Sequence, residues 1–310
     1  MNAKGPILLL ITAILWGMAF VAQTTASADV QPFTFNASRN FIGALFLSGV
    51  IMWRKRSGAD KPPREDGQGY NRRTLIIAGV SCGVVLCMAS YLQQAGITSY
   101  PDGAAVSGRS GFITALYMIM VALAGIFTGK KPHPLVWLAV AVALVGMYLL
   151  CLPNGFEGVY FGDLLVFLCA IGYAAHIVII DRYTHVDGVR LSRLQLITAG
   201  SISLVCALIF EQPSPTLIMA ALIPILYAGI CSDGIAYTFQ IIAQQTTDPT
   251  VASILMSLES VFAALGGWLI LSEALSAVEL VGCGLVFAGV IIAQVPDFME
   301  NARRKREAGA

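Results

Sequence analysis

The sequence is poor in charge: Lys, Arg, Asp and Glu make up 12% of its 310 residues, against 57% hydrophobic residues. Soluble domains carry about 25% charged residues, so so little charge over this length excludes a water-soluble globular fold. Histidine is scarce, with His133, His176 and His185 too far apart for an H-E-x-x-H zinc site, and there is no P-loop. The seven cysteines, Cys82, Cys87, Cys151, Cys169, Cys206, Cys231 and Cys283, lie in apolar runs with no C-x-x-C spacing. They read as small core hydrophobes, neither disulfide partners nor metal ligands. No metal or cofactor is expected, and no nucleic acid, since the net charge is +1.

Long apolar runs are what the chain has instead. About 20 such residues cross a bilayer as a helix, and ten spans fit, roughly 6–26, 33–53, 74–96, 102–128, 133–152, 159–181, 191–210, 215–242, 249–271 and 276–295. Of the 19 Lys and Arg, all but Arg39 and Arg109 fall in Lys4, the loop 54–73, Lys130-Lys131, the group Arg182, Arg190 and Arg193, and the tail Arg303–Arg306. With ten spans these positions share one side, which the positive-inside rule makes cytoplasmic for both termini. The expectation is an all-α, multi-pass protein of the cell (plasma or inner) membrane, with lipid as its surroundings. The basic loop and tail are read as topology signals rather than as sites for anionic partners.

Met1 to Asp29 could pass for a signal peptide ending at Ala26-Ser27-Ala28. An internal repeat argues against it. Gly5, Ala13, Trp16 and Gly17 lie over Gly162, Ala170, Tyr173 and Ala174 at one constant offset, so the first span is a repeat element. At a second offset Tyr91, Gln94, Asp102 and Ser107 lie over Tyr237, Gln240, Asp248 and Ser253, and after a short slip Gly146 lies over Gly289. Two halves of five spans each, 1–153 and 154–296, followed by a tail 297–310, must insert with opposite orientation. Such inverted repeats are a transporter architecture, with the substrate near the midplane.

Five ionisable groups lie inside the spans: Arg39, Arg109, His176, Asp233 and Glu259. A charge at that depth is costly and by default marks a cavity or a partner. Asp233, Tyr237, Gln240 and Gln244 form one polar stripe at helical spacing, which must face protein or water. Tyr91 and Gln94 repeat the Tyr237 and Gln240 pair in the first half, and Trp16 supplies an aromatic wall. The competing reading is that these charges pair with each other to hold helices together, with His176 a satisfied core group. Ser214-Pro215, Asp248-Pro249 and Ser276 to Glu279 read as helix starts; Asp102, Asp163 and Glu273 read as interfacial or capping groups.

The stretch Tyr227-Ala228-Gly229…Ala236-Tyr237…Gln240…Gln244…Ser257-Leu258-Glu259…Ser272-Glu273…Gly282…Ala288-Gly289, with Trp16-Gly17, Arg39 and Gly111-Phe112-Ile113-Thr114…Leu116-Tyr117, resembles the EamA-like permeases of the drug/metabolite transporter superfamily. Asp233 departs from the family's small neutral residue, and Ser260 stands where proline is common after the glutamate. The resemblance implies a secondary carrier for a small-molecule substrate, with a cavity lined by spans 1–4 and 6–9 and with spans 5 and 10 peripheral. Amino acids and related metabolites, moved outward, fit the paired charges best. Cationic drug efflux is the alternative, and a non-transporting sensor or an intramembrane protease around Gly162-Asp163 is remote. Proton coupling through Glu259, Asp233 or His176 stays open, as does oligomeric state.

Overall fold

The structure is a computed structural model that describes residues 4–60, 62–63, 70–101, 104–127, 133–151, 160–273 and 276–308. Lys61 and Arg64 of the basic loop, Asp102, Lys130-Lys131 and the junction at 153/154 lie outside the described residues, as do the side chains of Glu279 and Arg303–Arg306. All regular structure among the described residues is helical. The elements are α1 (Lys4–Ala26), α2 (Pro32–Arg56), α3 (Arg72–Thr98), α4 (Val106–Ala115), α5 (Tyr117–Phe127), α6 (Pro134–Cys151), α7 (Phe161–Arg182) and α8 (Gly188–Phe210). There follow α9 (Pro215–Ala220), α10 (Leu222–Tyr227), a π-helical segment Ala228–Ala236, α11 (Tyr237–Gln244), α12 (Pro249–Met256), α13 (Glu259–Leu271) and α14 (Ala277–Ala308).

Among the described residues, seven helical paths are long and apolar enough to cross a membrane: α1, α3, α4 with α5, α7, α8, α10 to α11, and α12 with α13. The 25-residue α2 falls short in hydropathy because Thr34, Asn36, Arg39 and Asn40 crowd its first half, where all four are buried, and Arg54, Lys55 and Arg56 end it. Apolar stretches of α6 (Pro134–Gly146) and α14 (Leu280–Gly289) are shorter. The outward faces are apolar, with Leu45, Phe210 and Ile223 among the large side chains left exposed, as expected of surface meeting lipid rather than water.

Helix starts follow local chemistry. Asn71 accepts from the Thr74 amide at 2.7 Å, Asp187 from Arg190 at 3.0 Å, and Asp248 from Thr250 at 2.8 Å with Pro249 in the first turn. Ser214 occupies the N-cap position before Pro215, but its hydroxyl makes no capping bond. Asp163 accepts from its own cap residue's amide, Tyr160, at 2.8 Å, and Glu273 reaches across to the Ser107 amide and hydroxyl at the start of α4.

α2 and α8 lie antiparallel and are tied at both ends. Glu211, after α8, accepts from the Phe33 and Thr34 amides at 2.8 Å, and Arg54 at the far end of α2 meets Asp187 at 2.8 Å. α1 runs through the middle of the molecule, against α4 and α10 to α13. Its Gly17 sits so close to α13 that a Cβ there would fall on Phe262 and lie 2.8 Å from the Glu259 carbonyl oxygen. α6 packs mainly on α14, where a Cβ on Gly146 would lie 2.7 Å from the Gly282 carbonyl, a small-residue contact suited to close helix approach.

Candidate functional site

The buried charges sit where helices are irregular. Asp233 lies on the π-helical segment, which changes the register of the path before Tyr237; π-turns of this kind recur at functional sites. Glu259 opens α13 just after a break at Ser257-Leu258, where the Ser260 and Val261 amides bond to carbonyls three residues back at 3.1 Å. No proline makes this break. Three serine hydroxyls, on Ser253, Ser257 and Ser260, donate to carbonyls three residues back at 2.7 to 2.8 Å and hold the bend. The α4 and α5 path breaks likewise at Leu116, and Tyr117 is the first residue beyond it.

These irregularities open onto one cavity of about 430 Å³ of empty space, its mouth included. Arg39 and Glu259 line it together with Trp16, Tyr117, Tyr173 and Tyr237. Arg39 is 2% exposed and Glu259 3%, so both are charges withdrawn from bulk water. The Arg39 Nε is 3.6 Å from Asp233 Oδ2, an ion-pair distance without a hydrogen bond, and neither oxygen of Asp233 has a hydrogen-bond partner. Glu259 has no cation beside it among the described residues; its Oε1 is unpartnered, and the Tyr117 hydroxyl, also without a hydrogen-bond partner, lies close by. Buried polar groups are normally satisfied. Two opposite charges with unused hydrogen-bonding capacity lining one cavity are therefore what a polar ligand would complete.

Aromatic rings shape the remainder. Trp16 meets Tyr237 edge-on at 4.9 Å and donates from Nε1 to the Ser232 carbonyl, in the π-helical segment, at 3.4 Å. His176 stands edge-on to Tyr237 at 5.7 Å, and its Nε2 is 3.0 Å from Gln195 Oε1. Tyr173 donates to Gln93 Oε1, and Gln93 donates to the Thr114 hydroxyl at 3.1 Å.

Comparison with known proteins meets this geometry. The model of the EamA-like transporter family matches residues 3–152 and again residues 160–294. This chain belongs to the EamA-like transporter family. Relatives include the threonine/homoserine exporter RhtA of Escherichia coli strain K12, 28% identical over 91% of this chain and 88% of that protein. An uncharacterized transporter of Archaeoglobus fulgidus is 25% identical over 92% of this chain and 83% of its own length. The uncharacterized inner membrane transporter YedA of Escherichia coli strain K12 is 21% identical over 94% of this chain and 90% of its own length. A protein crystal structure shares the fold, with a TM-score of 0.73 at 18% identity, covering 95% of this chain and 98% of that one. The chain is thus a multi-pass membrane protein of a transporter family.

Within this EamA-like chain, six of the ten side chains expected from the sequence line the cavity: Trp16, Arg39, His176, Tyr237, Gln240 and Glu259. Asp233 stands behind Arg39. Tyr91 points away and stacks on Phe33 with ring centroids 4.0 Å apart. Gln94 is buried, but donates to the Gln23 carbonyl at 3.2 Å; its neighbour Gln93, about 100° around the helix, is the one on the wall. Arg109 makes a two-pronged pair with Asp163 at 2.6 Å and lies over the Tyr160 ring, away from the cavity lining. Sequence reasoning missed Gln23, Gln93, Thr114 and Tyr117 as lining residues. The second break, at Leu116, is what brings Thr114 and Tyr117 inward, and only the family-like run Gly111 to Tyr117 hinted at it. The chain also contains the spacing G-x-S-x-G at Gly79-Val80-Ser81-Cys82-Gly83, but there it is plain α3. Ser81 donates to the Ile77 carbonyl at 2.7 Å, and both glycines abut α8 through Leu194 and Thr198.

Proposed function

We propose that the protein is a secondary transporter that moves a small polar organic solute, an amino acid or related metabolite, outward across the cell membrane by alternating access. The observation that carries this reading is the pair Arg39 and Glu259, opposite charges lining one cavity with capacity for further hydrogen bonds. A carboxylate of the solute fits Arg39, its ammonium fits Glu259, and Trp16, Tyr173 and Tyr237 enclose the apolar body. RhtA, a threonine/homoserine exporter, is a relative along most of the chain, which supports both the class and the direction.

In this reading α2, α6 and α14 complete a set of ten spans with both termini cytoplasmic, arranged as two inverted halves, 1–153 and 154–296, before the tail 297–310. Two matches of one family model in tandem support the division, and so does the packing of like on like: α2 on α8, α4 on α13, α6 on α14. Rocking of the halves about the breaks at Leu116 and Ser257-Leu258 would open the cavity to either side in turn.

Efflux of organic cations is the second reading, favoured by one observation: among the described residues Glu259 has no cation beside it, whereas Arg39 has Asp233. A thermal-shift screen of the detergent-solubilised protein against amino acids, sugars, nucleosides and quaternary cations separates the two. Ligand at about 100 times its Kd adds about 2.7 kcal/mol. Stabilisation by an amino acid, absent in Glu259→Gln, supports the first reading; stabilisation by quaternary cations alone supports the second.

A further inference from the structure

We infer that the solute is an amino acid with a neutral hydrogen-bonding side chain, a hydroxyl or a carboxamide, and that Gln240 on α11 is the residue that selects it. The inference rests on the transporter reading above and narrows the class of solute which that site takes. Among the described residues six glutamine side chains are buried, each at most 4% exposed: Gln23, Gln93, Gln94, Gln195, Gln240 and Gln244. Four of these have at least one side-chain hydrogen bond. Gln93 donates to the Thr114 hydroxyl and accepts from Tyr173, Gln94 donates to the Gln23 carbonyl, Gln195 meets His176, and Gln244 donates to the Ile177 carbonyl at 3.2 Å. Gln23 and Gln240 make no side-chain hydrogen bond among the described residues. The Oε1 of each is buried without a partner, and both residues line the cavity.

In the transporter reading Arg39 and Glu259 meet the two charged ends of an amino acid, which leaves these amides over. A buried amide is normally bonded, and leaving it unpaired is costly. Water can serve it in an empty cavity, but a solute that displaces the water must return the same bonds or bind more weakly. An aliphatic side chain cannot return them. A hydroxyl or a carboxamide both donates and accepts, as the glutamine amide does, and brings no charge into the site. Gln240 rather than Gln23 reads that group because of its place on the helix. It lies three residues after Tyr237 on α11, where side chains so spaced are neighbours on one face, and both line the cavity. Tyr237 is one of the rings that enclose the body of the solute, so this amide stands beside the part that differs between amino acids. Gln23 is seven residues beyond Trp16 on α1, about 10 Å of helix rise further along.

The test is isothermal titration of the full chain in detergent with two isosteric pairs, threonine against valine and asparagine against leucine, which differ in polarity but hardly in shape. The wild type is expected to bind the polar member of each pair tighter by about 10-fold or more. In Gln240→Leu, which keeps Arg39 and Glu259, both ratios are expected to fall towards one. They fall because threonine and asparagine weaken while valine and leucine bind as well as before or better, a pattern that general damage to the fold would not give. Equal affinities within each pair in the wild type overturn the inference. So do ratios that survive in Gln240→Leu, or that are lost in Gln23→Leu instead. If Gln240→Leu does not fold, Gln240→Met, an unbranched side chain of similar length, carries the same comparison. Binding of none of the four amino acids would instead overturn the amino-acid reading itself.

Discussion

Arg39 and Asp233 are two charges buried in contact without a hydrogen bond, so neither is tolerable without the other. Arg39→Ala leaves Asp233 uncompensated and should cost about 3–5 kcal/mol of stability, whereas the double variant Arg39→Ala/Asp233→Ala should recover most of that loss. Unfolding midpoints in detergent for the two singles and the double measure it directly; a double variant no better than Arg39→Ala would refute the pairing. Arg109 behaves differently. Its pair with Asp163 has 16% and 12% of the two side chains exposed and sits outside the cavity lining. Asp163→Asn should lower stability by about 1–3 kcal/mol yet leave the order of ligand affinities unchanged, read from the same thermal-shift series. The sequence identified these four as charges at membrane depth or at its edge, because cost alone singles them out. It could not say which pairs with which: Arg39 and Asp233 are far apart in the chain, and only the α2 contact with the π-helical segment joins them.

At the scale of elements, the site depends on where helices stop being regular and on how closely α1 can approach them. Gly17 allows α1 to touch α13 at Glu259 and Phe262. Gly17→Val would force that contact apart and should weaken ligand binding at least 10-fold, measured as a thermal shift. Gly49→Ala, with nothing within 4 Å of the new Cβ, should leave both binding and stability unchanged or slightly improve stability, since alanine is the better helix former. A Gly17→Val protein with full binding would show that the α1 approach is incidental. Hydrophobic runs made the helical paths legible, but the breaks within them were not. Both breaks carry three-residue backbone bonds, and at Ser257-Leu258 serine hydroxyls rather than a proline hold the bend. Gln93 rather than Gln94 reaches the cavity for a different reason: a repeat read from sequence locates a helix well, but a one-residue step turns its face by about 100°.

For the whole molecule, the proposed ten spans and the distribution of Lys and Arg together predict that both termini lie on one side. In a background with native thiols blocked, single cysteines at Gly58 and in the tail after Arg306 should be labelled from the cytoplasmic face, and cysteines at Ser99 and Ser214 from the opposite face. Labelling of Gly58 and the tail from different faces would break the even-span topology. The class of fold was legible because scarcity of charge over 310 residues admits few alternatives, and the family followed from runs such as Ser257-Leu258-Glu259. Whether Glu259 and Arg39 hold the solute is tested most directly by counterflow. Proteoliposomes preloaded with unlabelled threonine should accumulate labelled threonine through the wild type, and at least 10-fold more slowly through a folded Glu259→Gln protein. Counterflow through that variant at the wild-type rate would contradict the assignment of the site.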